Sequence, residues 1–211
     1  MTLFKRGHFY ETAILLKGFS ILFSMQILIT GGTGFIGTQL VRALVADGHT
    51  LTLLTRTNRH TAAGRNVSYL RWDGKEMPLG MGFFDGVINL AGAGIADAKW
   101  TEDYKELIRS SRVSATQACV KYINNSVRPP KVFISASAVG FYGGNREEIA
   151  DETATAGADF LAEVCQQWEQ LALQAKVRTV TPRIGVVLGR SGGAFPLMEA
   201  AYKLFLGGKF A

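Results

Sequence analysis

Residues 27–37 read Ile27-Leu28-Ile29-Thr30-Gly31-Gly32-Thr33-Gly34-Phe35-Ile36-Gly37: an apolar run, a glycine-rich turn and then an amphipathic stretch. Gly32, Gly34 and Gly37 satisfy G-x-G-x-x-G in the strand–turn–helix setting that separates the dinucleotide-binding fingerprint from an ordinary Gly-rich turn. Each glycine has its own task. One allows the tight turn, one lets backbone approach a pyrophosphate with no Cβ in the way, and Gly37 lets the helix lie close to the strand. The open amides at the helix start, at the positive end of its dipole, complete an anion site.

Working outward, Ile36, Leu40, Val41, Leu44 and Val45 form one helical stripe that Asp47-Gly48 closes. Strand Leu51–Leu54 follows and ends in Thr55-Arg56-Thr57-Asn58-Arg59. An NAD site usually carries a carboxylate there, for the ribose hydroxyls. A guanidinium instead can grip a 2′-phosphate with two charge-assisted bonds, which predicts NADP with Arg56 as first candidate and Arg59 as second. The bland alternative is a pair of solvated loop arginines. Further strands are expected at 67–70, with Asp73 placed to reach an adenine amino group, and at 86–90. The second runs into Ala91-Gly92-Ala93-Gly94, small residues that let the chain pass beside a cofactor. A packing helix begins near Trp100, with Trp100 and Trp168 read as core. Pro129-Pro130 then precedes a strand at 131–134, a helix at 160–172, a strand at 178–188 interrupted or placed at the margin by Pro182, and a helix from 195 to 205. Alternating strands and helices give an α/β, Rossmann-type, doubly wound parallel sheet with helices on both faces.

Composition narrows the function. The chain has 211 residues, of which 47% are hydrophobic, enough for a buried core. Its net charge is +6, but Lys and Arg are dispersed with no interleaved aromatic platform, so no nucleic acid partner is expected. Cys119 and Cys165 lie far apart inside helical patterns, which suits a reducing compartment, and a cytoplasmic location is expected. His8, His49 and His60 are scattered, so no metal site or Ser-His-Asp triad is expected. Residues 1–24 read as an extension outside the fold, 25–190 as the NADP-binding domain and 191–211 as the start of a substrate-binding part. Residues 18–40 are uncharged and could pass for a membrane span, but the glycine turn inside them argues against one, and no membrane partner is expected.

The succession ILITGGTGFIG, LLTR, VINLAGAGI, KWTEDYKELIRSSRVSAT, SASAVGFYG, DFLAEVCQQWE and PRIGVVLGRSGGA resembles the short-chain dehydrogenase/reductase superfamily. Within it, the chain resembles the atypical epimerase/dehydratase-like branch of epimerase family proteins, some labelled cell division inhibitor-like. The resemblance implies NADP held by Gly31, Thr33, Gly34, Phe35, Ile36 and Gly37, Arg56 at the 2′-phosphate, and Leu90, Ala91 and Gly92 along the cofactor. It also implies Ser137 at the active Ser/Thr position and Tyr142 near the nicotinamide. The superfamily's Tyr-x-x-x-Lys pair is missing from Asp159-Phe160-Leu161-Ala162-Glu163-Val164-Cys165. With no cation expected beside Tyr142, its catalytic reading and that of Ser137 stand level with a purely structural one. Two functions follow: an oxidoreductase or epimerase on a small, nucleotide-linked substrate, or a non-catalytic NADP(H)-binding sensor or scaffold. Family members continue beyond Gly207-Gly208, so the chain reads as truncated and is expected to be inactive alone, and helix pairing in relatives implies a homodimer.

Overall fold

A computed structural model of the chain describes residues 24–57, 65–144, 148–190 and 192–204. Arg59 and His60, the leading extension up to residue 23 and the stretch after 204 lie outside the described residues. The strands are β1 (Gln26–Thr30), β2 (Thr50–Thr55), β3 (Val67–Arg71), β4 (Gly86–Asn89), β5 (Val132–Ser135), β6 (Ser137–Ala138), β7 (Arg178–Val180), β8 (Arg183–Ile184), β9 (Leu188–Gly189) and β10 (Gly192–Gly193). The helices are α1 (Phe35–Ala46), α2 (Glu102–Asn125), α3 (Phe160–Ala172) and α4 (Phe195–Lys203).

β1 is apolar on both faces, and its neighbours complete a six-stranded sheet in the order β3-β2-β1-β4-β5-β7, with every pairing parallel. The order reverses between β1 and β4, which opens a crevice at the carboxyl ends of those two strands. Leu40, Val41, Leu44 and Val45 of α1 cover one face, against Ile27, Ile29, Leu51, Leu53 and Ile88. On the other face, Leu28, Val87 and Phe133 pack with Ala115, Cys119 and Ile123 of α2 and with Ala172 of α3. Both faces of the central strands are therefore shielded, as a parallel sheet requires.

Local chemistry sets the element ends. Thr101 caps α2 by accepting from the Tyr104 amide at 3.2 Å, with Glu102 and Asp103 in the first turn. Asp159 caps α3 and accepts from the Ala162 amide at 2.9 Å. Gly48, at φ 86°, ends α1 as the sequence predicts.

One expectation is met and one needs correction. The interruption expected at Pro182 occurs: β7, at the sheet edge, stops at Val180, and after Pro182 the chain leaves the main sheet and pairs β8 with β6. Pro182 has no amide to offer a ladder, but its carbonyl accepts from the Ser137 amide at 2.8 Å, so the break serves as the entry to a second, two-rung pairing. Trp100 is 44% exposed and precedes α2, so it is not core. Its indole N–H donates to the Ile95 carbonyl at 2.7 Å and its ring meets Phe160 edge-on at 5.7 Å. Trp168 is buried as expected.

Candidate functional site

The site begins at the turn between β1 and α1. Gly31 has φ 68°, and a Cβ there would stand 2.5 Å from the Leu90 carbonyl, so only glycine lets the β1 and β4 ends meet across the crevice. A Cβ on Gly37 would come within 2.3 Å of the Gly31 oxygen and 2.7 Å of the Gly32 Cα, which is the close helix–turn packing read from the sequence. Gly34 differs: a Cβ there would meet only the Gly31 oxygen, at 3.3 Å, and would otherwise project into the opening. Gly34 caps α1 without a side chain, and the first helical bond runs from the Thr38 amide to the Gly34 carbonyl at 2.9 Å. The amides of Phe35, Ile36 and Gly37 are left at a dipole-positive helix start. Thr33 and Gly34 are exposed, while Gly32 and Gly37 are buried. The cradle is therefore bare backbone, which fits a diphosphate.

A buried polar knot fixes the far wall. Asn89, 0% exposed at the end of β4, accepts from Thr30 Oγ1 at 2.6 Å and donates to Thr116 Oγ1 at 2.9 Å and Ser135 Oγ at 3.2 Å. Its Oδ1 also accepts from the Ala91 amide at 3.3 Å. One side chain thus ties β1, β4, β5 and α2 together and sets the course of Leu90-Ala91-Gly92. Arg112 lies below that loop and donates to the Ala93 and Ile108 carbonyls at 3.0 and 2.9 Å. A Cβ on Gly92 would approach its guanidinium to 3.1 Å. Burial pushes the Arg112 pKa down.

The outer candidates sit on strand ends. β2 ends at Thr55, so the exposed Arg56 stands one residue beyond it, beside the β1 turn. Asp73 follows β3, and its carboxylate accepts from the Lys75 amide at 2.9 Å, which holds its pKa below the usual carboxylate value.

Ser137 and Tyr142 come together through partners that sequence reading missed. Ser137 is 2% exposed and donates to Glu169 Oε1 at 2.5 Å. Glu169, on α3 and 8% exposed, binds Arg183 with both oxygens: Arg183 Nε to Oε1 and Nη2 to Oε2, each at 2.9 Å. Arg183 Nη1 donates to Tyr142 Oη at 2.9 Å. The expectation that Tyr142 has no cation beside it is thus overturned. The cation comes from β8, brought over by the step at Pro182, and not from a lysine one turn along a helix. The doubly bonded Glu169 carboxylate raises the Arg183 pKa above its ordinary value. Three consecutive aromatic contacts close the group: Arg183 lies 3.4 Å over the Phe141 ring and 4.9 Å from the Tyr142 ring, and the two rings meet edge-on at 5.4 Å. Glu169 reads as one more residue of an amphipathic helix and Arg183 as a strand residue, so the only sequence signal was an acid inside an otherwise apolar face.

Across residues 27–189 the chain matches the model of the NAD-dependent epimerase/dehydratase family. It belongs to that family. An epimerase family protein of Staphylococcus saprophyticus is 41% identical over 186 residues, covering 86% of this chain and 62% of the relative. The chain therefore spans about three-fifths of the length of the curated relatives it matches. Human epimerase family protein SDR39U1, solved with NADPH, superposes with a TM-score of 0.74 at 34% identity, over 87% of this chain and 61% of that one. A nucleoside-diphosphate sugar epimerase from Corynebacterium glutamicum gives 0.73 at 31% identity, over 95% and 42%. In this epimerase/dehydratase chain, no group of three or more His, Cys, Asp or Glu is arranged to hold a metal among the described residues. No helix among them is long and apolar enough to cross a membrane.

Proposed function

We propose that the chain carries the NADP(H) site of an oxidoreductase or epimerase acting on a small, nucleotide-linked substrate. The observation that carries the reading is the bare Gly31–Gly37 cradle, whose open side a single methyl on Gly34 would fill. NADP over NAD rests on Arg56 standing where a carboxylate would receive ribose hydroxyls. The human relative's NADPH and the bacterial relative's description as a nucleoside-diphosphate sugar epimerase support cofactor and substrate class respectively.

In this reading the bound dinucleotide supplies a hydride donor and acceptor. The chain's own residues do the rest. Backbone amides of α1 hold the diphosphate, Arg56 the 2′-phosphate, and Leu90, Ala91 and Gly92 form the wall that Asn89 fixes. Tyr142 offers a hydroxyl to a substrate oxygen from the short turn after β6, and Ser137 holds Glu169 in place. A non-catalytic sensor is the second reading, favoured by the absence of Tyr-x-x-x-Lys at the start of α3.

Titration of NADPH and NADH against the chain, followed by nicotinamide fluorescence, tests the cofactor assignment. NADPH is expected to saturate at the lower concentration, and Arg56→Glu to weaken it by about 10- to 100-fold, the loss of a charge-assisted contact worth roughly 1.5–3 kcal/mol. Equal affinity for the two nucleotides, unchanged in the variant, would remove the NADP assignment. Turnover of a nucleotide sugar would remove the sensor reading.

A further inference from the structure

Arg183 meets a carboxylate on one edge only. Its Nε and Nη2 are spent on the two oxygens of Glu169, and its face lies on Phe141. Nη1 is directed at Tyr142 Oη, with a longer contact of 3.4 Å to the Glu152 carbonyl. Glu169 is in turn held by the buried Ser137 hydroxyl. Since Tyr142 Oη accepts from a cation, its single proton must point elsewhere. The carboxylate sits on the far edge of the guanidinium, so the phenol meets positive charge first. A cation at this distance stabilises the phenolate left when that proton departs. The ladder of Ser137 with Arg183 and Ala138 with Ile184 keeps the two arms in register.

We propose that Tyr142 is the proton-transfer group of this site and Arg183 its counter-cation, supplying from β8 what a lysine one helical turn after a tyrosine supplies in the wider superfamily. Glu169 and Ser137 are positioning residues. The proposal rests on the dinucleotide reading above. In a reduction, the Tyr142 proton passes to the oxygen of a ketone or aldehyde while the carbonyl carbon takes the hydride of NADPH, which becomes NADP⁺. The phenolate stays against Arg183 until water returns a proton. In the reverse direction the phenolate takes the proton of an alcohol as the hydride leaves for NADP⁺.

The test reads the tyrosine itself. N-acetylimidazole acetylates phenols: the tyrosine oxygen attacks the acetyl carbon and imidazole leaves. Mass spectrometry then gives a rate for Tyr142, with the exposed Tyr202 as internal reference. We expect Tyr142, although partly buried, to react at least as fast as Tyr202. Arg183→Met should slow it by about tenfold or more, because the cation beside the phenol is gone. Removing Arg183 strands the Glu169 carboxylate, so the paired Glu169→Gln/Arg183→Met variant, neutral on both sides, accompanies the single change. It should remain slow while melting cooperatively. Saturating NADPH should protect Tyr142 and leave Tyr202 unchanged. A Tyr142 rate indifferent to residue 183 in folded protein overturns the proposal. NADPH that binds without protecting Tyr142 overturns its place beside the reacting carbon. Charge-dependent labelling with no NADPH binding would instead sink the cofactor reading alone.

Discussion

Replacing Asn89 by leucine keeps the number and branching of side-chain heavy atoms, with bulkier methyls, and removes the polar knot at the crevice. Four hydrogen bonds end on its side chain: from Thr30 Oγ1 and the Ala91 amide, and to Thr116 Oγ1 and Ser135 Oγ. The three hydroxyl partners lie in fully buried residues, and Ala91 is half-buried. A buried group left unmatched costs about 1–3 kcal/mol, and the hydroxyls can turn to other acceptors, so the total is about 3–5 kcal/mol. Against the roughly 5–15 kcal/mol typical of a domain, that would be a fifth or more of the whole. In urea, with a slope of about 1–3 kcal/mol/M, the midpoint should fall by about 2 M. NADPH affinity should fall too, because Ala91 loses the acceptor that sets its course. A midpoint lowered by less than about 0.5 M at unchanged slope would show that the knot contributes little.

The glycine turn separates folding from binding. Gly37→Ala places a methyl 2.3 Å from the Gly31 oxygen and should destabilise by about 3 kcal/mol or more, measured by denaturation. Gly34→Ala meets one oxygen at 3.3 Å and should melt nearly as the parent does while losing most NADPH affinity, which equilibrium titration would show. Equal stability losses at the two positions would contradict the division of labour. The Asp159 carboxylate accepts from the amides of Ala162 and Gly144, each at 2.9 Å, and these bonds hold its pKa below the ordinary value. A carboxyl with a depressed pKa stabilises the fold above its unfolded pKa and loses that contribution as the pH falls through the folded value. Asp159→Ala removes the α3 cap and should cost about 1 kcal/mol near neutral pH, with the melting curves of parent and variant converging as the pH falls below the ordinary carboxylate range.

The first crossover was legible because three constraints coincide in eleven residues: an apolar run, fixed glycine spacing and a helical stripe. β2 and β4 are likewise readable as short apolar runs between turn residues. The Glu169–Arg183 pair was not. These residues are 14 apart in sequence and meet only because Pro182 turns the chain off the sheet toward β6, an event that hydrophobic periodicity does not encode. Asn89 reads as the polar end of a strand, since a pattern of residue types cannot say that a carboxamide is buried among hydroxyls. A tryptophan ring by itself reads as core, whereas the position of Trp100 ahead of the Thr101 cap puts it at the surface against Phe160.

The short ladder between β6 and β8 has a mechanical meaning. Ser137 and Arg183 face each other across it, and Tyr142 follows within a single turn of Ala138. Hydrogen bonds run from the phenol through the guanidinium and Glu169 into α3, so a ligand that displaces Tyr142 is expected to be felt on the flank of the sheet where α2 and α3 lie against each other.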